Sequence, residues 1–329
     1  MNFKKSVLPL VAVLSISSFA SAKVYRYISI DSGGMLGVIP AHLLADIEEK
    51  TGKPIHELVD GMMGTSTGSI ISALLTVPAL NRETPYTAAE IGDFYRKHGA
   101  PIFDAATQSV VKNTMLSFLG GTPDFTAAAG VLQTQLEQVF GGLKMSKALV
   151  DLQILSLDAT NSQIWLFESS KAKADAQHDV LVSDAVRASS SVANAFGPLE
   201  LTIASTKKRF IDAGSIGARP NVSDPTPFLL ETVLAKLGAG DSAIVYSLGT
   251  GFSRGSVLKF DDRKITVVRI EPNVQHLMNG KGMLAMNLLS ASTTPEKLEQ
   301  MVSVAESLKN SDEYQRMLAD LQQLGREEL

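Results

Sequence analysis

Residues 24–78 read VYRYISI DSGGMLG VIPAHLLADIEEKTGKP IHELVDGMMG TSTG SIISALLTVP, and the order of patterns in this stretch decides the fold. Val24 to Ile30 are rich in β-branched and aromatic residues in alternation, which predicts a strand, and the next four residues, Asp31-Ser32-Gly33-Gly34, predict a turn. A helix comes next. Pro40 suits an early helical position, Ile39, Leu43, Leu44 and Ile47 make one apolar stripe, and Gly52 with Pro54 ends it. Residues 58–63 form a short apolar run ending at Gly64, and 69–77 form a second helical segment stopped by Pro78. Strand, helix, strand, helix predicts a parallel sheet.

Outward from this unit, strands are predicted at 152–157, 164–167, 201–204, 209–211, 243–248 and 265–270, and helices at 88–98, 128–140, 180–188 and 227–237. From Gly282 onward Leu, Met and Ala are interspersed with Glu and Lys, which predicts a helical tail of two or three elements. No internal repeat or low-complexity linker interrupts the chain. The expected organisation is one α/β domain, residues 23–329, whose last part from about residue 280 is a helical extension.

The composition narrows the chemistry. Of 329 residues, 45% are hydrophobic and 19% charged, the profile of a folded protein. Thirty basic against thirty-four acidic residues leave a net charge of -4, with no run of like charges that would make a nucleic-acid arm. The absence of cysteine excludes disulfides, a thiol nucleophile and thiolate metal sites. The five histidines show no H-E-x-x-H spacing, so neither a metal nor a cofactor is expected. At the start, Lys4 and Lys5 precede an apolar stretch over 7–20 and the small residues Ala20-Ser21-Ala22. This pattern predicts a signal peptide, 1–22, cleaved before Lys23, and export to a periplasm or the medium. As a membrane anchor the apolar stretch falls short of the ~20 residues a span needs.

Two stretches fit G-x-S-x-G, the sharp turn that exposes a nucleophilic serine between a strand and a helix. In Gly64-Thr65-Ser66-Thr67-Gly68 the serine has a predicted strand before it and a predicted helix after it. Beyond Gly251-Phe252-Ser253-Arg254-Gly255 the pattern Val257-Leu258-Lys259-Phe260 is not helical, so Ser253 reads as a loop serine. The glycine turn also joins a strand to a helix, and in a parallel sheet both strand ends lie on one edge, where the turn and Ser66 can converge. Two uses of the turn compete. The N–H groups of Gly33 and Gly34, with Met35 next in line, can form an oxyanion hole. A nucleotide loop needs G-x-G-x-x-G, but Ser32 occupies its first glycine position.

A serine also needs a base. His276 is the histidine that comes after a serine and an acid in the order of the common triad esterases. Asp212 and Asp158 each sit just past a predicted strand, and local context does not separate them. The apolar runs 115–119 and 283–289 can form a lid or an acyl groove, although helical spacing favours a place in the core.

Several spaced motifs resemble the patatin-like phospholipases. Asp31-Ser32-Gly33-Gly34-Met35-Leu36-Gly37 is similar to that family's D-G-G-G-x-R-G loop, and Gly64 to Gly68 match its G-T-S-T-G elbow residue for residue. Arg187-Ala188-Ser189-Ser190-Ser191 and Ser247-Leu248-Gly249-Thr250-Gly251 resemble two further family segments. The resemblance implies a three-layer α/β/α fold with a mainly parallel central sheet. It also implies a Ser66–Asp212 dyad without histidine, because the family's D-G-[GA] aspartate falls on Asp212. Fatty acyl esters of phospholipids or related lipids would be the substrates, cleaved through an acyl-enzyme during transient contact with a membrane surface. Four positions depart from the pattern: Leu36 replaces a cation, Ser32 and Ala213 replace glycines, and Asn194 stands where a proline is expected. A non-catalytic lipid- or partner-binding protein on the same fold is the alternative from another class.

Overall fold

The computed structural model describes residues 22–215, 218–252, 264–278 and 290–326. Its centre is a mixed sheet of eight strands in the order β5-β6-β3-β2-β1-β7-β8, with β4 paired to β3 as a branch. These are β1 Val24–Ile30, β2 Gly61–Thr65, β3 Asp151–Asp158, β4 Gln163–Glu168, β5 Leu199–Ile203, β6 Thr206–Ile211, β7 Ser242–Leu248 and β8 Ile265–Ile270. The five strands β3, β2, β1, β7 and β8 run parallel, β4 and β6 pair antiparallel with β3, and β5 pairs antiparallel with β6.

Among the described residues the α-helices are α1 Val38–Thr51, α2 Ile55–Leu58, α3 Thr67–Thr76, α4 Ala88–Phe94, α5 Ala100–Phe118, α6 Thr126–Phe140, α7 Ser169–Ala174, α8 Val182–Ser189, α9 Thr226–Leu234, α10 Pro295–Leu308 and α11 Asp312–Arg326. Side chains that alternate along the strands feed two cores. Ile28, Ile30, Met62, Tyr246 and Leu248 face the larger one, built with α1, α3, α8 and α10, while Tyr27, Met63, Val245 and Ala243 face a smaller one sealed by Leu229, Leu230 and Val233 of α9. Helices thus cover both faces of the sheet, which makes the layers α/β/α. β2 is buried at every position, as expected of a central parallel strand.

Local signals in the sequence set several helix ends. Gly52 ends α1 in the left-handed region at φ 71, donating its N–H to Glu48 O. Thr87 and Glu90 form a reciprocal capping box at the start of α4. That helix continues through a single π turn, Tyr95–Gly99, directly into α5. The run 58–63 is divided: Leu58 closes the one-turn α2, and the strand begins at Gly61. The two final helices pack Met301, Val304, Ala305, Tyr314, Met317 and Leu321 into the larger core. Residues 283–289, Ser253 and the predicted signal peptide up to residue 21 lie outside the described residues.

Candidate active site

Ser66 stands between β2 and α3 with φ 53 and ψ -118, an unfavourable conformation for a residue with a Cβ and one that the surrounding turn must hold. Close packing supplies that hold. A Cβ on Gly68 would lie 2.1 Å from Ile30 O, so only glycine lets the first turn of α3 press against the end of β1. The Ser66 N–H donates to Ser189 Oγ at 2.8 Å, and that hydroxyl donates to Leu155 O at 2.6 Å. Ser69 Oγ donates to Ser66 O at 2.6 Å. Thr67 Oγ1 and the Tyr95 hydroxyl are hydrogen-bonded, so the π turn before α5 is tied to the elbow.

Asp212 reaches the same place by a route that a purely parallel sheet would not provide. β6 pairs antiparallel with β3, Leu157 opposite Ile211, and β3 pairs with β2, Leu155 opposite Thr65. Residue 66 is therefore level with Ser156, and so is residue 212. Strand β6 begins beyond the carboxyl edge of the parallel strands and runs back to it, delivering Asp212 beside Ser66. The Ser66 hydroxyl stands close enough to the Asp212 carboxyl to favour its charged form. Burial pushes the Asp212 carboxyl up to about 6, while the Ser66 hydroxyl and the N–H groups of Gly214 and Ser215 pull it the other way. The Gly214 N–H lies 2.8 Å from Asp212 Oδ1, and the Asp212 N–H donates to Ser191 O at 2.9 Å. The small-residue stretch 187–191 thus braces the backbone of both functional residues, one through Ser189 and the other through Ser191.

Asp158, indistinguishable from Asp212 in the sequence, has another task. It pairs with Lys208 at 2.8 Å and accepts from the Thr160 N–H at 3.0 Å. Burial opposes its charge, but Lys208 and Thr160 outweigh that and hold it below the ordinary carboxylate range. His276 is exposed on a short 3-10 turn, and among the described residues no histidine hydrogen bond runs to Ser66 or Asp212. No group of three metal-ligating side chains occurs among the described residues.

The glycine turn closes the third side. The N–H groups of Gly33, Gly34 and Met35 find no acceptor among the described residues. Gly34 adopts φ 58, and a Cβ there would lie 2.3 Å from Ser290 O. The turn also touches the Asp212 turn, since a Cβ on Gly214 would lie 2.4 Å from Ser32 Oγ. Its brace comes from the C-terminal half. Thr250 Oγ1, in the turn 247–251, donates to Ser32 O at 2.5 Å, and the Asp31 N–H donates to Leu248 O at 3.1 Å. Leu36, in place of the family cation, is fully buried in the larger core, and Ala213 is likewise buried.

Arg269, on β8, is a site residue that local sequence patterns do not single out. It binds the buried Asp31 carboxylate with both terminal nitrogens and donates to Ser247 Oγ at 2.7 Å. Burial of Arg269 opposes its charge, but Asp31, Glu271 and Asp224 more than offset it and raise its pKa. The signal available was a lone cation at the end of the apolar strand ITVVRI.

The family model described as patatin-like phospholipase matches residues 28–230, more than half of the chain. Patatin-like protein 2 of Oryza sativa subsp. indica is 32% identical over 194 residues, 56% of this chain and 46% of the rice protein. Patatin group A-3 of Solanum tuberosum is 28% identical over 279 residues, 76% of this chain and 68% of the potato protein. The crystal structure of VipD from Legionella pneumophila aligns with 87% of this chain and 67% of that one at 11% identity and a TM-score of 0.38, too distant to carry an argument. The chain spans about half the length of the rice relative and of Patatin-03. By the family match over residues 28–230, with the elbow and glycine loop inside it, the chain belongs to the patatin-like phospholipase family.

Proposed function

We propose that the protein is an exported lipid acyl hydrolase that cleaves fatty acyl esters of phospholipids or related lipids with a Ser66–Asp212 dyad. One observation carries the reading: the hydroxyl of a serine on a strained elbow stands beside a buried carboxylate whose proton affinity is raised toward neutrality. The mechanism comes from these groups. Ser66 Oγ attacks the ester carbonyl carbon and passes its proton to Asp212. The carbonyl oxygen becomes an oxyanion, held by the N–H groups of Gly33, Gly34 and Met35. Collapse expels the alcohol, which takes the proton from Asp212 and leaves an acyl-Ser66 ester. Water then attacks that ester and gives its proton to Asp212; as the acyl–Oγ bond breaks, Ser66 Oγ takes that proton back and the fatty acid departs. The small-residue export pattern and the predicted cleavage before Lys23 support an exported location.

The test is covalent labelling. A fluorophosphonate is expected to add once, with the adduct on Ser66, and Ser66→Ala is expected to lose both the label and ester hydrolysis while keeping its circular dichroism spectrum. Labelling elsewhere, or hydrolysis surviving in the variant, would reject Ser66. For export, the mature amino terminus read by mass spectrometry is expected to be Lys23.

A further inference from the structure

We infer that the tip of the α5–α6 hairpin is the element that inserts into a lipid bilayer, an inference that rests on the lipid hydrolase reading and adds to it the surface that meets the substrate phase. The hairpin has its polarity reversed. The inward face of α5 presents Ile102, Ala106, Ser109 and Asn113, so it becomes polar toward the tip. The outward face presents Val111, Met115 and Phe118 at helical spacing, with Leu119 next to them. These four are the most exposed large hydrophobic side chains among the described residues, at 64%, 66%, 91% and 73%. A spacing that ordinarily marks a core face here turns to solvent.

The tip is built, not frayed. Asn113, 5% exposed, donates to Asp124 O at 3.1 Å and accepts from the Asp124 N–H at 2.7 Å, locking the two legs together. The Gly121 N–H donates to Leu116 O at 2.8 Å and closes the turn.

Charge and shape select the occupant. Residues 113–123 contain no charged side chain, and at the base Lys112 and Asp124 neutralise each other at 3.0 Å. A neutral apolar knob suits the interior of a bilayer interface and gains little from anionic headgroups. The other exposed large hydrophobics, Val24, Leu80, Leu149 and Leu234, lie on other elements and are each less exposed than Val111, Met115, Phe118 or Leu119. The hairpin leans on segments that flank the site. Phe103 lies 3.1 Å from where a Cβ on Gly34 would sit, and Phe125 packs against Gly197, just beyond the stretch that braces Asp212. From Phe103 to Phe118 the helix extends roughly 22 Å.

Sedimentation of the purified protein with phosphatidylcholine vesicles tests this. Wild type is expected to bind, equally well when 30% phosphatidylglycerol is included (a composition set for the test, about a third anionic) and at high salt. Phe118→Ser/Leu119→Ser is expected to bind at least about tenfold more weakly, a tenfold change corresponding to about 1.4 kcal/mol, and Phe118→Leu to retain binding. Hydrolysis of a water-soluble nitrophenyl ester should be the same in all three proteins, which also shows that they fold. Undiminished vesicle binding by the double variant, or binding that needs anionic lipid and is released by salt, would overturn the inference. So would a wild-type dimer that fails to bind vesicles and becomes monomeric in the double variant. The two readings fail separately: tip-dependent vesicle binding without hydrolysis of any ester rejects the hydrolase, whereas hydrolysis with tip-independent binding rejects the hairpin.

Discussion

Arg269 Nη1 lies 2.9 Å from Asp31 Oδ1 and Arg269 Nη2 lies 2.5 Å from Asp31 Oδ2, so one guanidinium grips both oxygens of the fully buried carboxylate that begins the glycine loop. Burial pushes the Asp31 carboxyl up, and the guanidinium pulls against it. Removing the cation leaves a buried carboxylate without its main partner, a change that costs about 3 kcal/mol or more. Arg269→Met is therefore expected to melt earlier and to lose turnover about tenfold with KM for a small ester little changed. Arg269→Lys, which keeps the charge without the two-point grip, should fall between. A lower melting temperature with unchanged kcat would show that Arg269 supports the fold but does not position the loop.

The pH profile should report Asp212. The carboxylate is the active form of a base, so kcat/KM is expected to rise with pH through a midpoint near the value of about 6 to which burial pushes this group. Asp212→Asn should lower turnover by about 10² to 10⁴ and flatten the profile. His276→Ala should leave both intact. A profile that loses its midpoint with His276 instead would return the mechanism to a triad.

The same carboxylate should weaken the fold at high pH. Its folded-state value of about 6 exceeds the ordinary aspartate value of 3.8, so the folded state binds more protons between these limits, and stability falls as pH rises through that window. The gap corresponds to a loss of about 3 kcal/mol, complete above the folded-state value. Asp212→Asn carries no charge to desolvate, so at pH about 8 its denaturation midpoint should exceed that of wild type, and at pH about 4 the difference should shrink. Equal pH dependence in the two proteins would remove the raised carboxylate from the account.

Gly34→Ala tests the glycine loop independently of the dyad. The left-handed backbone and the contact that a Cβ would make with Ser290 O force the loop to move. Turnover is expected to fall by about 10² or more, the worth of an oxyanion donor. Ser66 remains in place, so slow fluorophosphonate labelling should persist. Full turnover in this variant would place the oxyanion elsewhere.

How far the sequence could be read depends on how local each signal is. The elbow at Gly64 to Gly68 was legible because its chemistry lies within five residues: glycines that permit close packing, a strand before and a helix after. The strands also stood out by their apolar patterning, as did the end of α1 marked by Gly52. Asp212 and Asp158 looked alike because what separates them is the offset of an antiparallel strand and the position of Lys208, neither of which local context reveals. Arg269 meets Asp31 across most of the chain, so no local pattern singles it out. Residues 115–119 read as core because spacing tells which side chains share a face and says nothing about what covers that face.

The strand order has a consequence for how the molecule is made. β1 is the first strand to emerge, yet one of its edges stays open until β7 exists, since Val24 pairs with Ser242 and Ile30 with Leu248. Such distant pairing makes folding slow, and a waiting apolar edge is a template for pairing with other chains. Residues 28–230, the part matched by the family model, end before β7 begins, so a fragment cut there would keep the serine and the aspartate and still expose the edge of β1. Expressed alone, that fragment should aggregate. During synthesis the centre of the sheet closes only once Ser242–Leu248 has been made, and until then the nascent protein depends on whatever shields β1.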